Sequence, residues 1–296
     1  MAFNIKDKKW LGYFVYIVLV TGFLLYVLFP AEMVEEFIDN SVSRVNPELS
    51  FKAGQIKPWL PVGVRLVEAK IFSGDNGQSP LFRAESFYVG PQIVELFKGE
   101  SRFQLDGQAY TGEIHGWLGL PDENKKSLAG EINFKNFDLA SHELLANKFD
   151  YKIIGSAAGN ITFSGNAANI DDLNGKVVLR LSNGQLQFQE AIFGIASIDM
   201  KSVEFELALN NRQVNIVKAE LGGAEIKGSL SGSIQLQKDI MQSSLNLKGT
   251  LEPLAEFYKN NPSIRELLKN MKKRVKRGQY FFAITGTLDA PRFKLL

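Results

Sequence analysis

The sequence predicts a mainly β protein, in which an N-terminal transmembrane helix is followed by an elongated antiparallel sheet with a few short helices. Three observations support this class. The 296 residues contain one long uncharged apolar run near the start, apolar and polar residues alternate with a period of two after residue 50, and turn residues recur between the alternating segments. This alternation is typical of half-buried antiparallel strands, which present one apolar face and one polar face.

The apolar run at residues 10–29 predicts a membrane anchor. It holds 20 residues without a charge, and a helix of that length spans about 30 Å, the thickness of a bilayer hydrocarbon core. A cleaved signal peptide is the alternative, but the bulky Phe29 does not suit a cleavage site. Lysines precede the run and acidic residues follow it. The positive-inside rule then predicts a cytoplasmic stub (1–9), a transmembrane anchor (10–30) and a periplasmic domain (31–296).

Strands are predicted throughout the periplasmic part. Strict alternation occurs at 102–106, 131–135, 160–163, 185–189, 202–209, 233–237 and 244–248, and a last strand is expected at 280–287. Turns are predicted at Gly and Asn pairs, which lie at 74–77, 174–175, 183–184, 210–211 and 222–223. The acidic residues at 171–172 are interpreted as part of a turn and not as a calcium site, because their spacing does not fit a calcium loop.

Short helices are predicted at four places within this domain, near 32–45, 91–98, 138–148 and 253–277. The first has an apolar stripe formed by Met33, Val34, Phe37, Ile38, Val42 and Val45. The second begins after a proline and ends at a glycine. No Pro/Ser-rich linker divides residues 31–296, so a single domain is expected.

The composition argues against an enzyme. The net charge of +2 favours no nucleic-acid partner, and the absence of cysteine excludes disulfides, thiolate metal sites and thiol catalysis. The two histidines, His115 and His142, are interpreted as ordinary half-exposed residues. The Gly-Ser-Leu-Ser-Gly segment at 228–232 has Leu230 where a nucleophile elbow needs serine. We therefore expect no catalytic, cofactor-binding or metal-binding residues.

A basic cluster in the last predicted helix is the main candidate binding site. It consists of Lys269, Lys272, Lys273, Arg274, Lys276 and Arg277. Such a helix could lie on an anionic membrane or bind an acidic partner. It could equally pack on the sheet through its apolar stripe and leave the cations in solvent. The apolar face of the strands has two interpretations as well, an ordinary covered core or an open groove that holds acyl chains or a partner strand.

The chain resembles the type II secretion system protein N family. The likeness lies in the single anchor, the segment from Pro91 to Gly99 followed by 103–107 and Gly112, the GKVVLRLSNG segment at 175–184, and the Gly-Thr-Leu-Asp-Ala-Pro close at 286–291. The last two segments are also similar to the C-terminal parts of AsmA-type proteins. The resemblance implies a coiled sheet with an apolar inner face and no catalytic residues.

The function that this resemblance implies is that of a non-enzymatic scaffold of type II secretion in the inner membrane. Its periplasmic domain would contact other secretion-system subunits through strand edges and the basic helix. The alternative is an AsmA-like protein that binds or transfers lipid in the cell envelope. Neither function involves nucleic acid.

Overall fold

The computed structural model describes residues 7–45, 48–59, 62–73, 80–120, 127–142, 151–166, 169–192, 195–237, 239–262, 275–276 and 278–296. The chain forms two compact units, unit 1 (Met1–Gly90) and unit 2 (Pro91–Leu296). The boundary falls inside residues 31–296, for which the sequence predicts one domain. Strand β4 (Phe82–Pro91) continues through this boundary, so no linker marks it in the sequence.

Unit 1 begins with two helices, α1 (Asp7–Val27) and α2 (Ala31–Val45). Pro30 separates them, since its ring cannot continue the first helix. The predicted anchor covers 10–30, whereas α1 includes the charged residues of the N-terminal stub and ends at Val27. Within the described ranges, no helix is both long enough and apolar enough to cross a membrane.

Four strands complete unit 1, and β3 is central among them. The strands are β1 (Leu49–Lys52), β2 (Gln55–Pro58), β3 (Val64–Ser73) and β4 (Phe82–Pro91). One side of β3 pairs with β4. Its other side pairs with β2 in its first half (64–67) and with β1 in its second half (70–73).

Polar side chains of α2 cover the outer edge of β1. The carboxylate of Asp39 accepts a hydrogen bond from the Phe51 amide at 2.7 Å, and that of Glu35 accepts one from the Ala53 amide at 3.0 Å. The Ser43 hydroxyl donates to the Leu49 carbonyl at 3.0 Å. These three side chains follow one another at four-residue spacing, so they lie on one face of the helix. The helix thereby protects an edge that would otherwise be open to another strand.

Unit 2 is an antiparallel sheet in which almost every strand pairs with the next one in sequence. Its strands are β5 (Arg102–Ala109), β6 (Gly112–Gly119), β7 (Ser127–Asp138), β8 (Tyr151–Asn166), β9 (Asn169–Ile192), β10 (Ile195–Asn210), β11 (Gln213–Gly222), β12 (Ile226–Gln235), β13 (Ser244–Pro253), β14 (Val275–Lys276), β15 (Gln279–Thr287) and β16 (Pro291–Leu295). The order runs from β5 to β13 and then to β15, and both β14 and β16 pair with the outer side of β15. The prediction of a mainly β, antiparallel chain with few short helices is confirmed.

Three of the predicted helices lie in unit 2, and parts of two of them, 143–148 and 263–274, lie outside the described ranges. Two α-helices are described, α3 (Ile93–Phe97) and α4 (Ala255–Asn260). Near residue 138 there is a single 3₁₀ turn (Leu139–Ser141), in which Asp138 accepts a hydrogen bond from the Ala140 amide; residues 143–148 lie outside the described ranges. The helix predicted at 253–277 does not extend to 275, because Val275–Lys276 pair with β15 as a strand.

Two of the predicted turns lie inside a long strand instead. Asn174-Gly175 and Asn183-Gly184 both belong to β9, which pairs with β8 on one side and β10 on the other. Asn183 has a φ of +52° and forms a bulge in the ladder. Ladder pairing on both sides of the strand therefore overrides the local turn preference, and the bulge accommodates it. Asp171, predicted in a turn, also lies in β9.

Candidate functional site

The two faces of the unit 2 sheet differ sharply in composition. In β10, Leu207 lies opposite Val177 of β9 and Ile216 of β11. Because neighbouring strands place paired residues on the same side, such rows can be followed across the whole sheet. One row consists of Leu105, Gly116, Ile132, Ile161, Val177, Leu207, Ile216, Gly232, Leu247, Ile284 and Phe293. It contains only apolar residues and glycine.

Two further rows flank this one and have the same character. The first includes Phe103, Leu118, Gly130, Phe163, Gly175, Leu209, Val214, Ile234, Leu245, Gly286 and Pro291. The second includes Ile114, Phe134, Gly159, Leu179, Phe205 and Ala219, followed by Gly249, Phe282 and Leu295. We call the side defined by these three rows the apolar face.

Glycines in these rows make room for aromatic rings from the next strand. A Cβ on Gly130 of β7 would lie 2.5 Å from the Phe163 ring of β8. A Cβ on Gly159 of β8 would lie 2.7 Å from the ring of Phe134. The rings therefore lie across the glycine backbone and keep the face continuous where a strand has no side chain.

Most side chains of the apolar face are only half-buried. Phe205 is 37% exposed and Phe293 is 64% exposed, whereas Ile114, Leu245 and Leu247 are buried. Along the three rows, contacts in the described ranges run between neighbouring strands, and no helix or second sheet is packed over them. Sheets normally cover an apolar face with another layer, whereas in the described ranges these rows leave apolar area exposed.

Helix α4 covers one end of the sheet. Phe257 of this helix packs against Ile226 at the start of β12. Burial, together with a hydrogen bond to Tyr258, raises the pKa of Tyr280 to about 12. The helix thus provides a packed end beside the open rows.

The opposite side of the sheet, the polar face, is a ladder of paired charges. The Lys218 ammonium lies 2.6 Å from the Glu204 carboxylate and 3.4 Å from that of Glu220. The hydrogen bond from Lys218 lowers the pKa of Glu204, and the same bond raises the pKa of Lys218. Lys176 pairs with Glu206 at 2.6 Å in the neighbouring part of the ladder. An open depression of about 580 Å³ lies beside Lys218, and it is lined by the carboxylates of Glu204, Glu220 and Glu252 and by the ammonium groups of Lys218 and Lys227.

The two histidines lie in different surroundings. His115 of β6 makes a 2.8 Å hydrogen bond with Asp106 and lies 3.6 Å from Glu113. The hydrogen bond to Asp106 is the main reason that the pKa of His115 is raised. The His142 ring stacks on Tyr110 with centroids 4.8 Å apart. In the part of the chain that the structure describes, no group of three or more acidic or histidine residues could hold a metal ion.

The predicted basic site cannot be assembled from the described residues. Lys269, Lys272, Lys273, Arg274 and Arg277 all lie outside them. Lys276 is described, but it belongs to strand β14 and not to a helix. The basic helix therefore stays a prediction over 263–274 and is wrong at Lys276, where pairing with Gln279 fixes an extended backbone.

No family model, curated protein or solved structure matches this chain. The resemblance to the secretion protein N and AsmA families therefore stays an expectation from short sequence segments.

The sequence indicated the apolar face, but not the features that shape it. The alternating strands identify which residues share a side, and the Gly-x-x-x-Gly segments at 112–116, 155–159 and 228–232 were a partial signal for the ring-over-glycine contacts. Strand β16 is not among the predicted strands, because the Gly-Thr-Leu-Asp-Ala-Pro segment at 286–291 indicates only a closing motif. The basic and apolar alternation in Arg292-Phe293-Lys294-Leu295 would have been the available signal.

Proposed function

We propose that unit 2 binds the acyl chains of lipids on its apolar face. The observation that carries this proposal is the uncovered set of three apolar rows. At roughly 4.8 Å per strand, a row across eleven strands is about 50 Å long, which exceeds the ~30 Å hydrocarbon core of a bilayer. The face could therefore hold several acyl chains, and each methylene removed from water contributes about 0.8 kcal/mol.

The proposed location is the cell envelope, with the chain held at the cytoplasmic membrane through α1 and the bulk of the chain in the periplasm. Large apolar side chains of α1 support this location, because they are exposed all round the helix: Trp10 at 72%, Leu19 at 66% and Phe23 at 66%. A helix that is apolar on every side is stable when lipid or another protein covers it. The lysines at the start of α1 and the acidic residues that follow it favour the stated orientation.

Mass spectrometry of the detergent-purified chain tests the lipid proposal. The wild-type protein should carry co-purifying phospholipid. Phe205→Glu places a charge on the apolar face at an already exposed position, so it should reduce the bound lipid without unfolding the sheet. Asn215→Glu, on the polar face of the next strand, is the matched control and should retain lipid. Wild-type protein free of lipid would exclude the proposal.

A second proposal is the scaffold role in type II secretion, which one specific observation supports. Strand β16 lies at the outer side of β15, and Phe293 is 64% exposed. An exposed strand edge is a common docking site for a partner chain. Crosslinks from this edge to the secretin or to inner-membrane subunits of the secretion machinery would support the scaffold role. Lipid-free protein with such crosslinks would favour it over lipid binding.

A further inference from the structure

We infer that the outer edge of β16 binds an extended strand of a partner protein, in which acidic and apolar side chains alternate. The inference deepens the scaffold role proposed above, because it names the chemistry of the partner. It does not depend on lipid binding by the apolar face.

The backbone of β16 presents free hydrogen-bonding groups on its outer side. The Leu296 amide donates to the Phe281 carbonyl at 2.9 Å. This bond shows which residues of β16 direct their backbone groups towards β15. In an antiparallel ladder, inward and outward groups alternate along the strand. The amides of Arg292 and Lys294 therefore point towards β15, and those of Phe293 and Leu295 point away from it. No strand in the described ranges pairs with that outer side.

The side chains of β16 distinguish the two faces of an incoming strand. Phe293 and Leu295 lie on the apolar face, opposite Ile284 and Phe282 of β15. Phe293 also stacks on Phe282, with ring centroids 5.3 Å apart, so its ring is held in place although most of it is exposed. An added strand would place apolar side chains beside these two residues.

The polar side of the same edge is basic. Arg292 and Lys294 are exposed there, opposite the uncharged Thr285 and Ala283 of β15. Neither cation is in an ion pair with any residue that the structure describes. Opposite charges at directly paired positions stabilise a sheet, whereas like charges destabilise it. The incoming strand should therefore carry Glu or Asp on this side.

A second copy of β16 does not fit this edge. Antiparallel self-pairing centred on Phe293 would place Arg292 directly opposite Lys294 of the second copy. A register shifted by two residues places Arg292 or Lys294 opposite itself. Each register that keeps the apolar sides aligned thus brings cations together or leaves them unpaired, so the charge pattern selects an acidic partner.

Fluorescence anisotropy with the full chain in detergent tests the inference. The probe is a labelled peptide that alternates Glu and Val, and the control peptide alternates Lys and Val. We expect binding of the Glu–Val peptide that weakens with added salt, and no binding of the Lys–Val peptide. The R292E/K294E double variant should reverse this preference. The charge-matched K152E/K201E variant changes exposed lysines away from the edge and should leave the preference unchanged.

A proline substitution separates strand addition from simple charge attraction. Leu295→Pro removes an outward amide and leaves the inward bonds of Lys294 and Leu296, so it should weaken peptide binding about tenfold or more. Leu295→Ala shortens the side chain but retains the amide, and should bind more tightly than Leu295→Pro. Equal binding by these two variants, or no binding of the Glu–Val peptide by the wild type, would overturn the inference. Crosslinks to secretion subunits that persist in that case would leave the scaffold role itself standing.

Discussion

The ring of Phe163 in β8 lies across the backbone of Gly130 in β7, so closely that a Cβ on Gly130 would lie 2.5 Å from the ring. Gly130→Val should therefore force the ring out of place and destabilise the protein by about 1–3 kcal/mol. Urea denaturation measures the change. Gly119→Val is the matched control on β6, because the nearest atom to a Cβ there is 3.5 Å away. Equal stability of the two variants would contradict the ring-over-glycine packing.

The carboxylates of α2 that accept hydrogen bonds from the edge of β1 should contribute to the stability of the protein. Asp39→Ala should destabilise the protein by about 1–3 kcal/mol, because it leaves the amide of the buried Phe51 without its partner. Glu36→Ala removes an exposed acidic residue from the same helix and should change the stability little. Thermal unfolding followed by circular dichroism compares the two. If Asp39→Ala lowers the stability no more than Glu36→Ala does, the hydrogen bond from the Phe51 amide to Asp39 does not stabilise the protein.

The Glu204–Lys218 pair predicts that the stability of the fold decreases slightly at both acidic and basic pH. The pKa of Glu204 is lowered in the folded state, so its stabilising effect is present above the unfolded pKa and is lost as the pH falls through the folded value. The pKa of Lys218 is raised, so its contribution is lost as the pH rises through its folded value. Both groups are solvent-exposed, and the effect is small and screened by salt.

Replacement of one partner tests this pair. Lys218→Met should raise the pKa of Glu204 towards 4.5, its ordinary value, and flatten the acid limb of the stability curve. NMR titration of the Glu204 side chain reports the pKa directly. Lys152→Met, which removes an exposed lysine from β8, should leave that pKa unchanged.

The contact between His115 and Asp106 predicts a raised histidine pKa, which NMR can measure. Its hydrogen bond with Asp106 raises its pKa above 6.5, so the pair stabilises the fold fully below pH 6.5 and less as the pH rises through the folded pKa. Asp106→Asn should lower the pKa of His115. Because the chain has two histidines, the ring protons can be assigned by comparison with a His142→Gln variant. An unchanged titration in Asp106→Asn would show that the contact does not persist in solution.

The strands were predictable because their signal is local. Alternation at 202–209 and 244–248 assigns each residue to a face, and those segments lie in β10 and β13 as expected. The turns at Asn174-Gly175 and Asn183-Gly184 were not predictable in this way. They are strand residues because β8 and β10 bond to β9 on both sides, and local propensity does not include such distant pairing.

Helix α2 was also predictable from local sequence, whereas the side through which it packs was not. The sequence correctly places a helix here, but Met33 and Phe37 of its predicted apolar stripe are each 70% exposed. The helix instead contacts β1 through Glu35, Asp39 and Ser43, which the pattern treats as the solvent side. The apolar stripe of a helix shows where its apolar surface lies. In α2, the unpaired backbone groups at the edge of β1 decided which side of the helix faces the sheet.

By itself the sequence determined that this is a mainly β chain with one apolar and one polar side to its strands, since side-chain alternation is a local property of extended backbone. Only the tertiary structure decided that the apolar rows align across the sheet of unit 2 and that no described layer covers them. It also decided that β16 presents a basic and apolar edge. These features depend on register and on which strand lies outermost, and both are fixed by contacts between residues distant in sequence.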